Sequence, residues 1–240
     1  MSEEPRIEIT PDAVPVEFSE DPKWWLDSEK AYELLCNDRP AKSCDILYFF
    51  GRSYFDAPRR GFYDLAVSLY QQGMVKKIIV PGTEGERLGE TTPGMAHPGK
   101  TAMKKRLVRM GVAEEDVVFS KPGYHTKQEG DAFLDYSMEN SLQRAVAFTN
   151  PHQIVRAILG LVRTINDRSL PIEVYTAVPD PNKFNWGRMV KGSQGQKLEP
   201  VFKHFYKELN RIYLYQQKGD LASFEELFEY MNIRNSRRPI

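Results

Sequence analysis

The sequence predicts an α/β fold, a doubly wound, mostly parallel sheet of Rossmann-like type with helices added at the N-terminal and C-terminal ends. Three observations carry this. Short apolar runs end in glycine, proline or threonine, amphipathic helical stretches separate them, and the alternation recurs four times between Asp45 and Tyr175.

The first twenty residues hold Pro5, Pro11 and Pro15 among many acids, without a sustained period, and read as an extended arm. Trp24 and Trp25 open a helix to about Leu35, with Trp25, Ala31, Leu34 and Leu35 as its expected core face. Ile46 to Phe50 is a continuous apolar run closed by Gly51, the mark of a strand buried on both faces. Phe62, Leu65, Ala66, Leu69 and Tyr70 then recur at helical spacing, stop at the cap Gly73, and lead into the strand Ile78 to Val80.

Three further helix–strand pairs follow. Lys100 to Met110 leads to Val117–Phe119, Lys127 to Met138 to Ala145–Phe148, and Pro151 to Ile165 to Ile172–Tyr175. After Leu198 two helices are expected, the first carrying Val201, Phe202, Phe205, Leu209, Ile212 and Tyr213. The organisation is an arm and helix over 1–43, a Rossmann-like domain over 44–219, and a closing helix and tail over 220–240.

Thirty-three basic side chains balance 33 acidic ones, so no global field draws the protein to nucleic acid or an anionic membrane. The N-terminus lacks an apolar leader and no apolar run is long enough to span a bilayer, which leads us to expect a cytoplasmic protein. Cys36 and Cys44 have no His or Cys partner at metal-ligand spacing, so neither a disulfide framework nor a metal site is expected.

In open parallel sheets, ligands lie beyond the carboxyl ends of the strands, where loop backbone and helix N-termini converge. The loop Gly51-Arg52-Ser53 combines a permissive backbone with a forked anion contact. Gly82-Thr83-Glu84 begins a long connection to Gly99, with Glu84 as a proposed base or acceptor. Gly94 to Thr101 satisfies the phosphate-loop pattern, but it starts more than ten residues after the strand at Val80, and Pro98 removes one amide.

Thr126 and Glu129 have the spacing of a capping box, on a helix start that would face the crevice. Asn150, Pro151 and Gln153 form a helix-start pattern in which Asn150 is the cap. His152 and Arg156 lie one turn apart at this junction, suited to proton transfer and to binding phosphate or carboxylate.

These segments, in this order, resemble the YdcF/SanA/ElyC-like family. The matching runs are Asp45-Ile-Leu-Tyr-Phe-Phe-Gly51, Ala66-x-x-Leu69-Tyr70-x-x-Gly73 and Lys77-Ile-Ile-Val-Pro-Gly82. They continue through Leu107-x-x-x-Gly111-Val112, Thr126-x-x-Glu129, Thr149-Asn-Pro-x-x-x-x-Arg156-Ala157 and Glu208-Leu-Asn-Arg-Ile-Tyr-Leu-Tyr. The resemblance implies a Rossmann-like fold and a nucleotide-like or phosphorylated small ligand, with S-adenosylmethionine one such ligand in the family.

Several positions depart from the family pattern. Thr83 stands where a second glycine is usual, and Lys100 and Thr101 stand where an acid is expected. Phe62 occupies the place of an arginine for which Arg59 or Arg60 would substitute, and Gln153 that of a histidine, with His152 one residue earlier. The sequence-based expectation is a small-molecule enzyme or binding protein. Its expected ligand contacts are Gly51, Arg52, Ser53, Arg60, Gly82, Thr83, Thr126, Glu129, Asn150 and Arg156, with His152 or Glu84 for proton transfer. Two other readings remain open, a magnesium- and ATP-dependent phosphoryl transferase using Gly99-Lys100-Thr101, and a partner-binding module acting through Trp24-Trp25 and the aromatic C-terminal helices.

Overall fold

The computed structural model describes residues 19–50, 62–84, 99–123, 125–190 and 199–237. The arm over 1–18 and the residues Gly51, Arg52, Ser53, Arg59, Arg60 and Gly94 to Pro98 lie outside these. Five parallel strands form one sheet: β1 (Cys44–Phe49), β2 (Val75–Val80), β3 (Val117–Phe119), β4 (Arg144–Phe148) and β5 (Glu173–Ala177). Their order is β3-β2-β1-β4-β5. The chain builds outward from β1 to β3, then crosses back to lay β4 and β5 on the other side of β1. The reversal falls between β1 and β4, whose register pairs Ile46 with Ala145 and Phe49 with Phe148.

Side-chain alternation along β1 builds a core on each face. Ile46, Tyr48 and Phe50 join one cluster while Leu47 and Phe49 join the other, which is why the strand reads as an unbroken apolar run. Helices α2 (Phe62–Gln71) and α3 (Lys100–Arg109) cover the second face, where Phe62 lies against Phe148 with ring centroids 4.4 Å apart. Helices α1 (Pro22–Asn37), α4 (Thr126–Glu139) and α5 (Ile154–Arg168) cover the first face. They are joined there by α6 (Val201–Gln217) and α7 (Phe224–Ser236). The fold is therefore doubly wound. No helix of the described residues is long and apolar enough to cross a membrane.

The phase of α1 differs from expectation. Ala31 and Leu35 are buried, but Trp25 and Leu34 are exposed, and Trp24 packs inward instead. Asp21 caps the helix by accepting from the Lys23 N–H at 2.8 Å, and Pro22 begins it. This start places Trp24, Ser28, Ala31 and Leu35 on one stripe at spacings of four, three and four. The Trp24 Nε1–H donates to Gln216 Oε1 at 2.9 Å, and its ring meets Tyr213 and Phe224 edge-on. Trp24 and the aromatic C-terminal helices therefore pack against each other.

The outer edge of β5 is closed by side chains. Tyr230 Oη accepts from the Val174 N–H at 2.7 Å and donates to the Ile172 carbonyl at 3.2 Å. Asp38 accepts from the Thr176 N–H at 3.1 Å, while Arg234 donates to the Val174 carbonyl and forks onto Asp38 at 2.7 and 2.8 Å. Arg234 and Asp38 are both nearly fully buried. An edge strand whose polar backbone groups are satisfied in this way offers no template for another strand.

A small antiparallel ribbon, β6 (Met189–Val190) with β7 (Glu199–Pro200), precedes α6. Pairs this short leave no periodic signature in a sequence.

Candidate functional site

The strand-order reversal places the carboxyl ends of β1 and β4 side by side, and the Phe50 N–H still donates to the Phe148 carbonyl at 3.1 Å beyond the last paired residues. From β4 the chain runs through Thr149 and Asn150 into a 3-10 turn over Pro151–Gln153 before α5 begins at Ile154. The expected side-chain cap from Asn150 is absent. The Asn150 carbonyl accepts from the Gln153 N–H at 3.1 Å, and proline's fixed φ favours this tighter first turn, so the helix proper starts one turn later.

That leaves the Asn150 side chain uncommitted. It is 2% exposed and makes no side-chain hydrogen bond among the described residues. An amide with two donors and an acceptor, not used as a cap, thus stands at the strand-order reversal.

His152 and Arg156 follow on the same side. His152 is buried, with its ring centroid 6.3 Å from that of Phe184. Phe184 meets Trp186 at 5.2 Å, Trp186 meets Phe205 at 5.7 Å, and Phe205 meets Tyr32 at 5.5 Å. An aromatic wall thus runs from α1 to His152. The Arg156 guanidinium is engaged by Glu208 on α6, with Nε donating to Oε2 and Nη2 to Oε1 at 3.3 Å. Arg211 Nη1 donates to the same Oε1 at 2.6 Å.

Burial alone would push the Glu208 carboxyl up, but the charges of Arg156 and Arg211 outweigh it and hold the group down at about 2. Glu208 is therefore ionised at neutral pH, and with its two arginines carries one net positive charge. The His152 ring lies within the field of this carboxylate.

The start of α4 forms the facing side. Its cap is His125, whose Nδ1 accepts from the Gln128 N–H at 3.4 Å, and Thr126 is the first helical residue. The expected box between Thr126 and Glu129 does not form. His125 enters in an extended conformation one residue before the expected cap, and Glu129 is buried. Gly123 fixes this approach, since a Cβ there would lie 2.7 Å from the Glu129 nitrogen. Burial and the Arg156 charge both lower the His125 pKa from its ordinary value, which ties the starts of α4 and α5 to one electrostatic site.

The loop after β2 holds the neighbouring connection in place. A Cβ on Gly82 would lie 2.0 Å from the Ser120 carbonyl oxygen, so glycine is required there by backbone packing. Thr83 Oγ1 donates to the Gly123 carbonyl at 2.9 Å and accepts from the Gly123 N–H at 3.2 Å. Glu84 accepts from Thr101 Oγ1 at 2.8 Å and lies 4.0 Å from Lys100 Nζ. Lys100 Nζ also sits 5.5 Å from the Phe119 ring centroid. The described part of the phosphate-loop pattern therefore faces Glu84.

Two buried polar groups in this region, His204 and Glu208, were not expected as site residues. Their signal was present. Val201, His204, Glu208 and Ile212 fall on one helical stripe, so an acid and a histidine interrupt an otherwise apolar face. Among the described residues, no cluster of His, Cys, Asp and Glu is placed to hold a metal ion. Burial pushes the Cys36 thiol up to about 11 and the Cys44 thiol up to about 12, so neither is a thiolate at neutral pH. The site thus combines an uncommitted amide, a buried imidazole, a net-positive ionic group and an aromatic wall. Comparison with family models and with curated protein sequences yields no match.

Proposed function

We propose that this protein binds a nucleotide-like or phosphorylated small molecule at the carboxyl ends of β1 and β4, and acts on it as a cytoplasmic enzyme with His152 in proton transfer. The observation that carries the reading is Asn150, an amide 2% exposed and uncommitted among the described residues, at the reversal point of a doubly wound sheet. Buried His152 stands beside it, in the field of an ionised Glu208.

In this reading Asn150 fixes the ligand's polar edge, and the aromatic wall ending at Phe184 accepts a flat or apolar part. Arg156 acts through Glu208, holding the positive field near His152, and the start of α4 adds its helix dipole. Gly51, Arg52, Ser53 and Arg60 would complete the anion contacts from the connection after β1. Gly82 and Thr83 serve by fixing the loop backbone, and Glu84 by tying the end of that loop to Thr101.

The resemblance to the YdcF/SanA/ElyC-like family makes S-adenosylmethionine the first ligand to try, with AMP and a sugar phosphate beside it. Thermal shifts of the wild type with each are compared with those of Asn150→Leu and His152→Ala. The reading predicts a ligand-dependent rise in Tm that Asn150→Leu abolishes. A rise of equal size in both variants would place the ligand elsewhere.

A further inference from the structure

A second feature lies at the opposite end of the sheet from the proposed crevice. A cleft of about 690 Å3 opens where the amino ends of β4 and β5 meet the end of α4, the loop before β1 and the residue following α7. Sites for small molecules commonly span ~300–1,000 Å3. The gap arises from two connections. Ser141, with φ 53°, turns the chain out of α4 toward β4, and Pro171 directs the other connection into β5.

The lining is unbalanced in charge. Lys42, Arg144 and Arg237 border the cleft against one acid, Glu173. None of the three cations forms an ion pair among the described residues, although Arg144 sits directly opposite Glu173 in the strand register. Glu173 instead accepts from Tyr175 Oη at 3.3 Å. The nearby acid Asp45 is also committed, accepting from the Gln143 and Arg144 N–H groups at 3.0 and 3.2 Å and from Lys76 at 3.0 Å. Met138 and Leu142 supply apolar surface between these charges. In a chain of zero formal net charge, a cleft bordered by three uncommitted cations and lined in part by apolar side chains is complementary to an anion with an apolar body.

We propose that this cleft is a second binding site, separate from the crevice, for a small organic anion. Its phosphate or carboxylate would be held by Arg144 with Lys42 and Arg237, and its apolar body by Leu142 and Met138. The test is titration of the full chain with phenyl phosphate and with benzoate at low salt, followed by calorimetry and backbone amide shifts.

The expected result is saturable one-to-one binding of at least one probe, with shifts centred on the 141–144 and 171–175 segments. The tighter probe names the oxyanion. Arg144→Ala weakens binding about tenfold, the value of one charge-assisted contact. Lys42→Ala, a change in an exposed loop, weakens it severalfold without altering Tm, and Asn150→Leu leaves it unchanged. The proposal is overturned if neither probe saturates, if both cation variants bind as the wild type does, or if Asn150→Leu removes the binding.

Discussion

Replacing Glu208 by Gln keeps the shape of the side chain and removes the charge that holds Arg156 and Arg211. Glu208 and Arg156 have side chains only 3% and 14% exposed, whereas Arg211 is 26% exposed. Breaking a buried pair by removing one partner costs about 3–5 kcal/mol, and the exposure of Arg211 puts the expected loss at the low end, about 3 kcal/mol. The depression of the carboxyl by its two arginines leads to the same size. Its pKa falls from 4.5 to about 2 on folding, which corresponds to about 3 kcal/mol at neutral pH.

Because the folded value is depressed, this stability is complete above the unfolded value of 4.5 and is lost as pH falls toward 2. Urea unfolding of the wild type and Glu208→Gln at pH 7 and pH 3 should therefore show a gap that narrows by more than half in acid, to about 1 kcal/mol. Replacing both Arg156 and Glu208 by Met should cost less than Glu208→Gln alone, since no buried charge is then left unpaired. A gap below about 1 kcal/mol at pH 7, or one constant with pH, would mean that the Glu208 charge does not stabilise the fold.

Three other outcomes follow from the packing. Gly82→Ala sets a Cβ against a backbone carbonyl that cannot swing aside, and should cost about 2–3 kcal/mol in denaturant unfolding; a neutral substitution would mean that the two loops move apart freely. Tyr230→Phe leaves the Val174 N–H and Ile172 carbonyl without their partner, at about 1–3 kcal/mol, and should speed amide exchange at Val174 selectively. His125, with its folded pKa lowered, should titrate below 6.5 by NMR, and its contribution to stability is present above 6.5 and lost as pH falls through the folded value. Arg156→Met should move that midpoint upward, and an unchanged midpoint would separate the two residues.

The middles of the elements were legible in the sequence, while their ends and the long-range polar contacts were not. Val117–Phe119 is a strand in both readings because its apolar run stands alone between turns. β2 begins three residues before the expected Ile78, since Val75 and Lys77 already pair with β1 while the Lys76 and Lys77 side chains remain exposed. The cap of α4 falls on His125, one residue before the expected Thr126, because a histidine ring nitrogen serves where the pattern favours a hydroxyl.

At the site, the sequence located the junction after β4 correctly in the chain, but Arg156 and Glu208 are 52 residues apart, and only folding brings them together. The Asn150 side chain looked like a structural cap, which would have explained it fully. The fold leaves it without that bond, and this raises it from a local to a functional candidate.

Ligand binding at Asn150 is decided by native mass spectrometry of the wild type and Asn150→Leu, each after incubation with a small-molecule extract of cells. One additional small mass should appear, bound one-to-one to the wild type and lost from the variant, with both proteins giving the same charge-state envelope. An adduct retained equally by both, or no adduct on either, would contradict it.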